Sequence, residues 1–315
     1  MVKCVGRKGQ YMLFFPYKFD LSLSKIPFLT ILVCLLCTAV YTQQFRNESE
    51  FQKRSLYYCA ANLSTVEQMA MEKTFGDASP GTCLNLMFEL ELSNEPETVI
   101  KEYAEQSNKF AGFNEADSRT YIEDFLLEKY SGYKRSVPTL NTKALWYVPD
   151  SWNPVTMVTS TFSHGGWDHL IGNLLFFYAF AAAVELIVGP LAFLGVIIAM
   201  AFGTNIAYSL AMMSAANPLP TVGLSGIVMG MIAMLTYFMP TAKVRCFYWF
   251  LIKIGTVAVS AWILALVYIG VDVYTLLSQD EMGGVNLIAH VSGAAMGFLL
   301  GFAFFRRQKR RVAID

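Results

Sequence analysis

One serine and three histidines carry the chemistry open to this chain. Ser225 stands between glycines in Thr221-Val222-Gly223-Leu224-Ser225-Gly226-Ile227-Val228-Met229-Gly230, at the start of an apolar run that reaches Met239. The histidines are His164, His169 and His290, all that the chain has, and each lies near the start of another apolar run. Glycine and serine at close spacing in a membrane helix usually serve close helix packing, so the motif alone says little. Ionisable residues in an apolar span are costly and mark a functional site by default. A serine hydroxyl becomes a nucleophile when a nearby base takes its proton, and imidazole suits that near neutral pH. The pairing this suggests is Ser225 as nucleophile and His290 as general base.

Attack on an amide builds an oxyanion that needs fixed donors. His169 and Asn173 are four residues apart and share one helical face. The backbone N–H groups of Leu224 and Ser225, near a helix N-terminus, add donors. Gly223 and Gly226 let backbone and substrate approach Ser225. His290, Gly293, Gly297 and Gly301 are spaced as a ridge for close packing, which carries His290 towards Ser225 if the two helices pack there. Three imidazoles also suit zinc. The nearest carboxylate in sequence is Asp168, however, and a metal leaves Ser225 without a role, so neither metal nor cofactor is assigned. His164 reads as a hydrogen-bonded residue at a helix start, and Glu185 as a residue holding a loop or helix end. Lys253 and Asp272 read as charges near opposite ends of one span, reaching the interface. Cys34, Cys37 and Cys246 read as buried small residues or helix-end thiols.

These residues need a frame of membrane helices. Of 315 residues, 55% are hydrophobic and 15% charged, against about 25% charged in an ordinary soluble domain. Apolar runs cover Ile26–Tyr41, Val158–Val188, Leu191–Met213, Val222–Met239, Phe247–Leu277 and Val285–Phe305. Each approaches the ~20 residues a spanning helix needs, and the fifth is long enough for tilt or an end outside the hydrocarbon. The expected organisation is a basic leader (1–25), a first helix (26–43), a helical extramembrane insert (44–157), a core of five further helices (158–305) and a basic tail (306–315). The first helix is read as retained, with a cleaved signal peptide as the competing reading. The positive-inside rule puts the leader, Lys243/Arg245 and Arg306–Arg311 on the cytoplasmic side. Six helices satisfy this without conflict, and Ser225, His290 and the His164/His169 pair then share one depth near the outer face.

The insert between Gln44 and Met157 holds 11 Lys/Arg against 17 Asp/Glu. That balance, beside a basic membrane part, argues against nucleic acid as a partner. Amphipathic helices are expected over Glu95–Phe110 and Glu115–Tyr130, with Asn94 and Asn114 as caps and a turn at Asp77–Gly81. Cys59 and Cys83 are either a disulfide or two unpaired thiols. Asn47-Glu48-Ser49 and Asn62-Leu63-Ser64 match the glycosylation triplet.

Three pieces, His164-x4-His169-x3-Asn173, Gly223-Leu224-Ser225-Gly226 and His290-x2-Gly293-x3-Gly297, resemble the rhomboid family of intramembrane serine proteases. The resemblance covers about Val158–Phe305 plus the first helix. It implies an all-α, six-helix bundle, into which the small helical extramembrane domain is inserted between helices one and two as an enlargement of the family's compact first loop; the compact loops within the core fit a bacterial plasma membrane. It implies a Ser225–His290 dyad without a third acid, and an oxyanion hole from His169, Asn173 and the amides of Ser225 and Leu224. His164 matches a structural histidine of the family, and Glu185 a glutamate at the far end of the second helix. Substrates would be transmembrane segments that unwind near small or helix-breaking residues, with the fifth helix as gate and the following loop as cap. The alternative is a catalytically silent relative that binds transmembrane helices; a transporter is disfavoured because no inverted pair of broken helices is evident. Two departures stand out. The first loop lacks the family's Trp-Arg pair, and Met229 occupies the position where an aromatic residue often stacks on the histidine.

Overall fold

A computed structural model describes residues 12–19, 26–61, 63–93, 95–110, 112–215, 218–250, 253–278 and 285–312. The cap expected at Asn94, the triplet at Asn62, the loop after the fifth helix expected as a cap over the site (279–284) and most of the basic leader lie outside the described residues. The chain divides into two compact units, one of residues 1–42 and 144–315 and the other Gln43–Lys143.

The smaller unit is helical. It contains the second half of α1 (Phe28–Cys59), then α2 (Thr65–Phe75), α3 (Pro80–Leu92), α4 (Pro96–Gln106) and α5 (Glu115–Ser136). Its core is Met71, Met87, Leu90, Ile100, Ile122 and Leu126, each fully buried. Local chemistry sets the helix starts. Ser64 and Glu67 form a capping box on α2, Ser79 caps α3 ahead of Pro80, and Asn114 accepts from the Asp117 amide to cap α5. Cys59 and Cys83 are joined in a disulfide. Asn47 uses its amide nitrogen on the Thr139 carbonyl and its oxygen on the Asn141 amide.

The short α6 (Asn141–Leu145) spans the boundary between the units, and the membrane unit continues through α7 (Pro154–Thr159), α8 (Trp167–Val188), α9 (Pro190–Met212), α10 (Ser225–Phe238), α11 (Ala261–Ser278), α12 (Leu287–Phe304) and α13 (Arg306–Val312). Among the described residues five helices, α1, α8, α9, α11 and α12, are long and apolar enough to cross a membrane. The expected helical bundle is present, with four differences in its elements. The first helix does not stop near 43: no glycine or proline falls between Phe28 and Cys59, so α1 runs on where the composition turns polar. The second run is broken at Ser163-His164-Gly165-Gly166, and α8 begins only at Trp167. The fourth helix starts at Ser225 and has 14 residues, about 21 Å at 1.5 Å per residue. Non-helical backbone ahead of it is tolerated at membrane depth because protein satisfies it: Thr221 pairs with Tyr147 in both directions and the Gly223 amide donates to the Ser160 carbonyl.

The fourth difference concerns the fifth run, which is not one helix. Lys243–Phe250 (β2) and Lys253–Ser260 (β3) form a hairpin that pairs through β2 with β1 (Met12–Phe19), a strand from the leader. All pairings are antiparallel, with Phe14 opposite Tyr248 and Val244 opposite Val259. The alternation in β2, with Val244 and Cys246 buried and Lys243 and Arg245 exposed, is the period of a strand. Lys253 therefore lies on β3 and not at a helix end.

Glu185 ties α8 to the start of α1. Its carboxylate accepts from the amides of Leu29 and Thr30 and from the Thr30 hydroxyl, at 2.7–3.0 Å. These are first-turn donors with no intrahelical partner, and the negative charge suits the helix N-terminus. Replacing Glu185 by alanine strands them in a buried site, so Glu185→Ala is expected to cost about 2 kcal/mol. Glu185→Gln, which keeps one acceptor, should cost less, and thermal unfolding in detergent would order the two variants.

Candidate active site

Ser225 is the first residue of α10, where helix amides have no intrahelical carbonyl to bond. Its helix is pressed against α12 through glycines on both sides. A Cβ on Gly293 would collide with the Gly226 carbonyl, and one on Gly297 with the Gly230 carbonyl. A Cβ on Gly226 would in turn stand 3.0 Å from the carbonyl oxygen of Ala289, the residue before His290. The ridge read from the spacing of Gly293 and Gly297 is thus matched by Gly226 and Gly230 on α10. Asn286 caps α12 by accepting from the Ala289 amide, and its own amide nitrogen donates to Thr221 at 3.1 Å. That contact pins the start of the histidine helix to the loop before the nucleophile.

The loop turns at Gly223, whose φ of +119° suits glycine. A Cβ there would also lie 2.7 Å from His169 Cε1, 2.8 Å from His169 Nε2 and 3.6 Å from Asn173 Nδ2. His169 and Asn173 therefore converge on the backbone two residues before Ser225. The Gly165 amide donates to His169 Nδ1 at 3.4 Å, which leaves the ring proton on Nε2, facing that backbone. Asn173 Nδ2 is buried and has no hydrogen-bond partner among the described residues. An unpartnered buried donor is costly, and here it lies beside the backbone two residues before Ser225. His164 is fully buried in the loop before α8, its ring edge-on to His169 with centroids 5.2 Å apart. His164 Nδ1 lies 3.3 Å from the Phe162 carbonyl.

Beside Ser225 is a cavity of about 20 Å³ lined by Ser160, Thr161, Thr204, Asn205, Thr221 and Ser225, among others. That is room for one water molecule, with several polar partners around it. Met229 is buried in the apolar core of the bundle. Among the described residues no group of three or more His, Cys, Asp or Glu is placed to hold a metal ion.

The sequence reading missed one residue. Asp272 does not reach an interface: its side chain is 10% exposed, and Oδ2 lies 2.8 Å from His290 Nδ1. The reading of Asp272 as a charge reaching the interface is corrected accordingly, and an acid stands beside His290. The signal was available, since Asp272 is the one charge in the eighteen residues of α11, where a charge needs a partner. No hydrogen bond joins Ser225 to His290 among the described residues; such contacts often tighten only with substrate bound.

Together the fold and the site define a multi-pass helical membrane protein that carries a serine, a histidine and convergent donors at the head of a buried short helix. Residues 151–307 match the Rhomboid domain, and the chain belongs to the rhomboid family. No curated protein matches the chain in a sequence search.

Proposed function

We propose that this protein is an intramembrane serine endopeptidase that cleaves transmembrane segments of other membrane proteins. Rhomboid domains are in general intramembrane serine proteases, and this chain retains the groups the reaction needs. Ser225 Oγ attacks the scissile carbonyl carbon while His290 takes its proton and later delivers it to the leaving amine, giving an acyl-enzyme that water hydrolyses. His169 Nε2–H, the Asn173 amide and the backbone amides at Leu224 and Ser225 hold the oxyanion. The observation that carries this reading is the convergence at Gly223. A buried, unpartnered Asn173 donor and the His169 ring both meet the backbone two residues from a helix-start serine.

The same reading orients the chain with both termini and the β2 segment in the cytoplasm of a bacterial cell. Its support is that β1 from the leader is hydrogen-bonded to β2, and that Lys309 of α13 sits 4.0 Å over the Tyr237 ring at the end of α10. Three basic segments are thereby gathered at one end.

The test is labelling of the purified protein with a fluorophosphonate serine probe, mapped by peptide analysis. Label on Ser225 that disappears in His290→Ala supports the protease. A folded protein that takes no label at Ser225 is a silent helix-binding relative. Asn173→Ala is expected to lower kcat by about 10²-fold, the usual loss for one oxyanion donor, with little change in KM in a transmembrane-substrate cleavage assay.

A further inference from the structure

A carboxylate on an apolar helix in a bilayer is expensive unless it is paired. The eighteen residues of α11 carry one, Asp272, and its partner is the imidazole assigned as general base. The contact is short, 2.8 Å, and largely withdrawn from solvent, with the two side chains 10% and 14% exposed. It is made through Nδ1 rather than Nε2. That choice matters chemically: a neutral ring that donates Nδ1–H to a carboxylate keeps its lone pair on Nε2, the nitrogen left to accept a proton from serine.

We propose that Asp272 is a positioning residue for catalysis, completing a Ser225–His290–Asp272 arrangement across α10, α12 and α11. The inference rests on the protease reading above. In the acylation step the Ser225 proton passes to His290 Nε2 as the Oγ–carbon bond forms, and then to the nitrogen of the departing amine as the C–N bond breaks. Asp272 holds the ring in one tautomer and rotamer and stabilises the transient imidazolium. Because the carboxylate comes from α11, the orientation of the base depends on where that helix stands.

The experiment compares full-length wild type with Asp272→Asn and Asp272→Glu in liposomes. It reads kcat and KM separately on a test transmembrane substrate, the rate of fluorophosphonate labelling at Ser225, and the unfolding midpoint. Asparagine is nearly isosteric but can donate to Nδ1 and so favours the wrong tautomer. The expected result is a fall in kcat of about 10²–10⁴-fold with KM within about twofold, a parallel fall in labelling, and an unfolding midpoint near that of wild type. Asp272→Glu should recover part of kcat, because it restores the acceptor. Equal kcat and labelling in wild type and Asp272→Asn would overturn the positioning role while leaving the protease reading intact. So would losses in both variants that merely track a lowered unfolding midpoint. Absence of label on wild-type Ser225 would remove the protease reading, and the positioning role with it.

Discussion

Replacing Ser225 by alanine is expected to reduce cleavage of a transmembrane substrate by at least ~10⁴-fold, and His290→Ala to do nearly the same. The reason is that neither group works alone. A serine hydroxyl without a base is a weak nucleophile, and an imidazole without the hydroxyl has nothing to activate. The two losses should therefore not multiply. The double variant is expected to be no slower than the worse single variant, because both remove the same step. What remains in all three should be the modest contribution of His169, Asn173 and the helix-start amides to a water-driven reaction. Measured by single-turnover cleavage in detergent or liposomes, a double variant slower by the product of the single effects would show that the two side chains act independently.

The second large effect is expected at Gly293. A side chain there meets the Gly226 carbonyl, so Gly293→Val must push α12 off α10. Overpacking of this kind costs typically 1–3 kcal/mol, and backbone oxygen cannot move aside as the end of a long side chain can. Gly226 is the residue after Ser225, and His290 lies one turn before Gly293, so the same displacement separates the reacting groups. A shift of about 1 Å at a reacting centre can cost ~10²-fold in rate. Gly293→Val is thus expected to lower both the unfolding midpoint and kcat. Gly195→Ala on α9, where a Cβ would meet nothing within 4 Å, should change neither. Thermal unfolding with a parallel cleavage assay distinguishes the two glycines, and a Gly293→Val protein with wild-type stability and rate would refute the glycine-to-glycine seam.

Much of the frame was legible in the chain because apolar length and helix-capping chemistry are local. Asn114 caps α5 as its position ahead of Glu115 and Asp117 suggests. The spacing of Gly293 and Gly297 marked a packing ridge, and the tertiary contact supplied its partners, Gly226 and Gly230. The hairpin was harder to read. Phe247–Leu277 carries only Lys253 and Asp272 as charges, and a mostly apolar run cannot by periodicity alone be told from buried strand or helix. What makes it a sheet is β1, more than 200 residues earlier in the chain. The same non-locality explains the disulfide. Cys59 and Cys83 lie 24 residues apart, and only the packing of α3 on the end of α1 brings them to bonding distance.

What the amino-acid order determined by itself was the inventory: a serine among glycines, three histidines at the heads of apolar runs, and enough apolar length to cross a membrane many times. These follow from composition and short-range spacing, which the backbone translates directly into helix faces. Only the tertiary structure decided who meets whom. It placed His169 and the Asn173 amide on Gly223, set Glu185 on the first turn of α1, and joined Asp272 to His290 across two helices. Such pairings depend on the register and rotation of helices packed side by side, and those are set by the summed fit of many side chains rather than by any one segment.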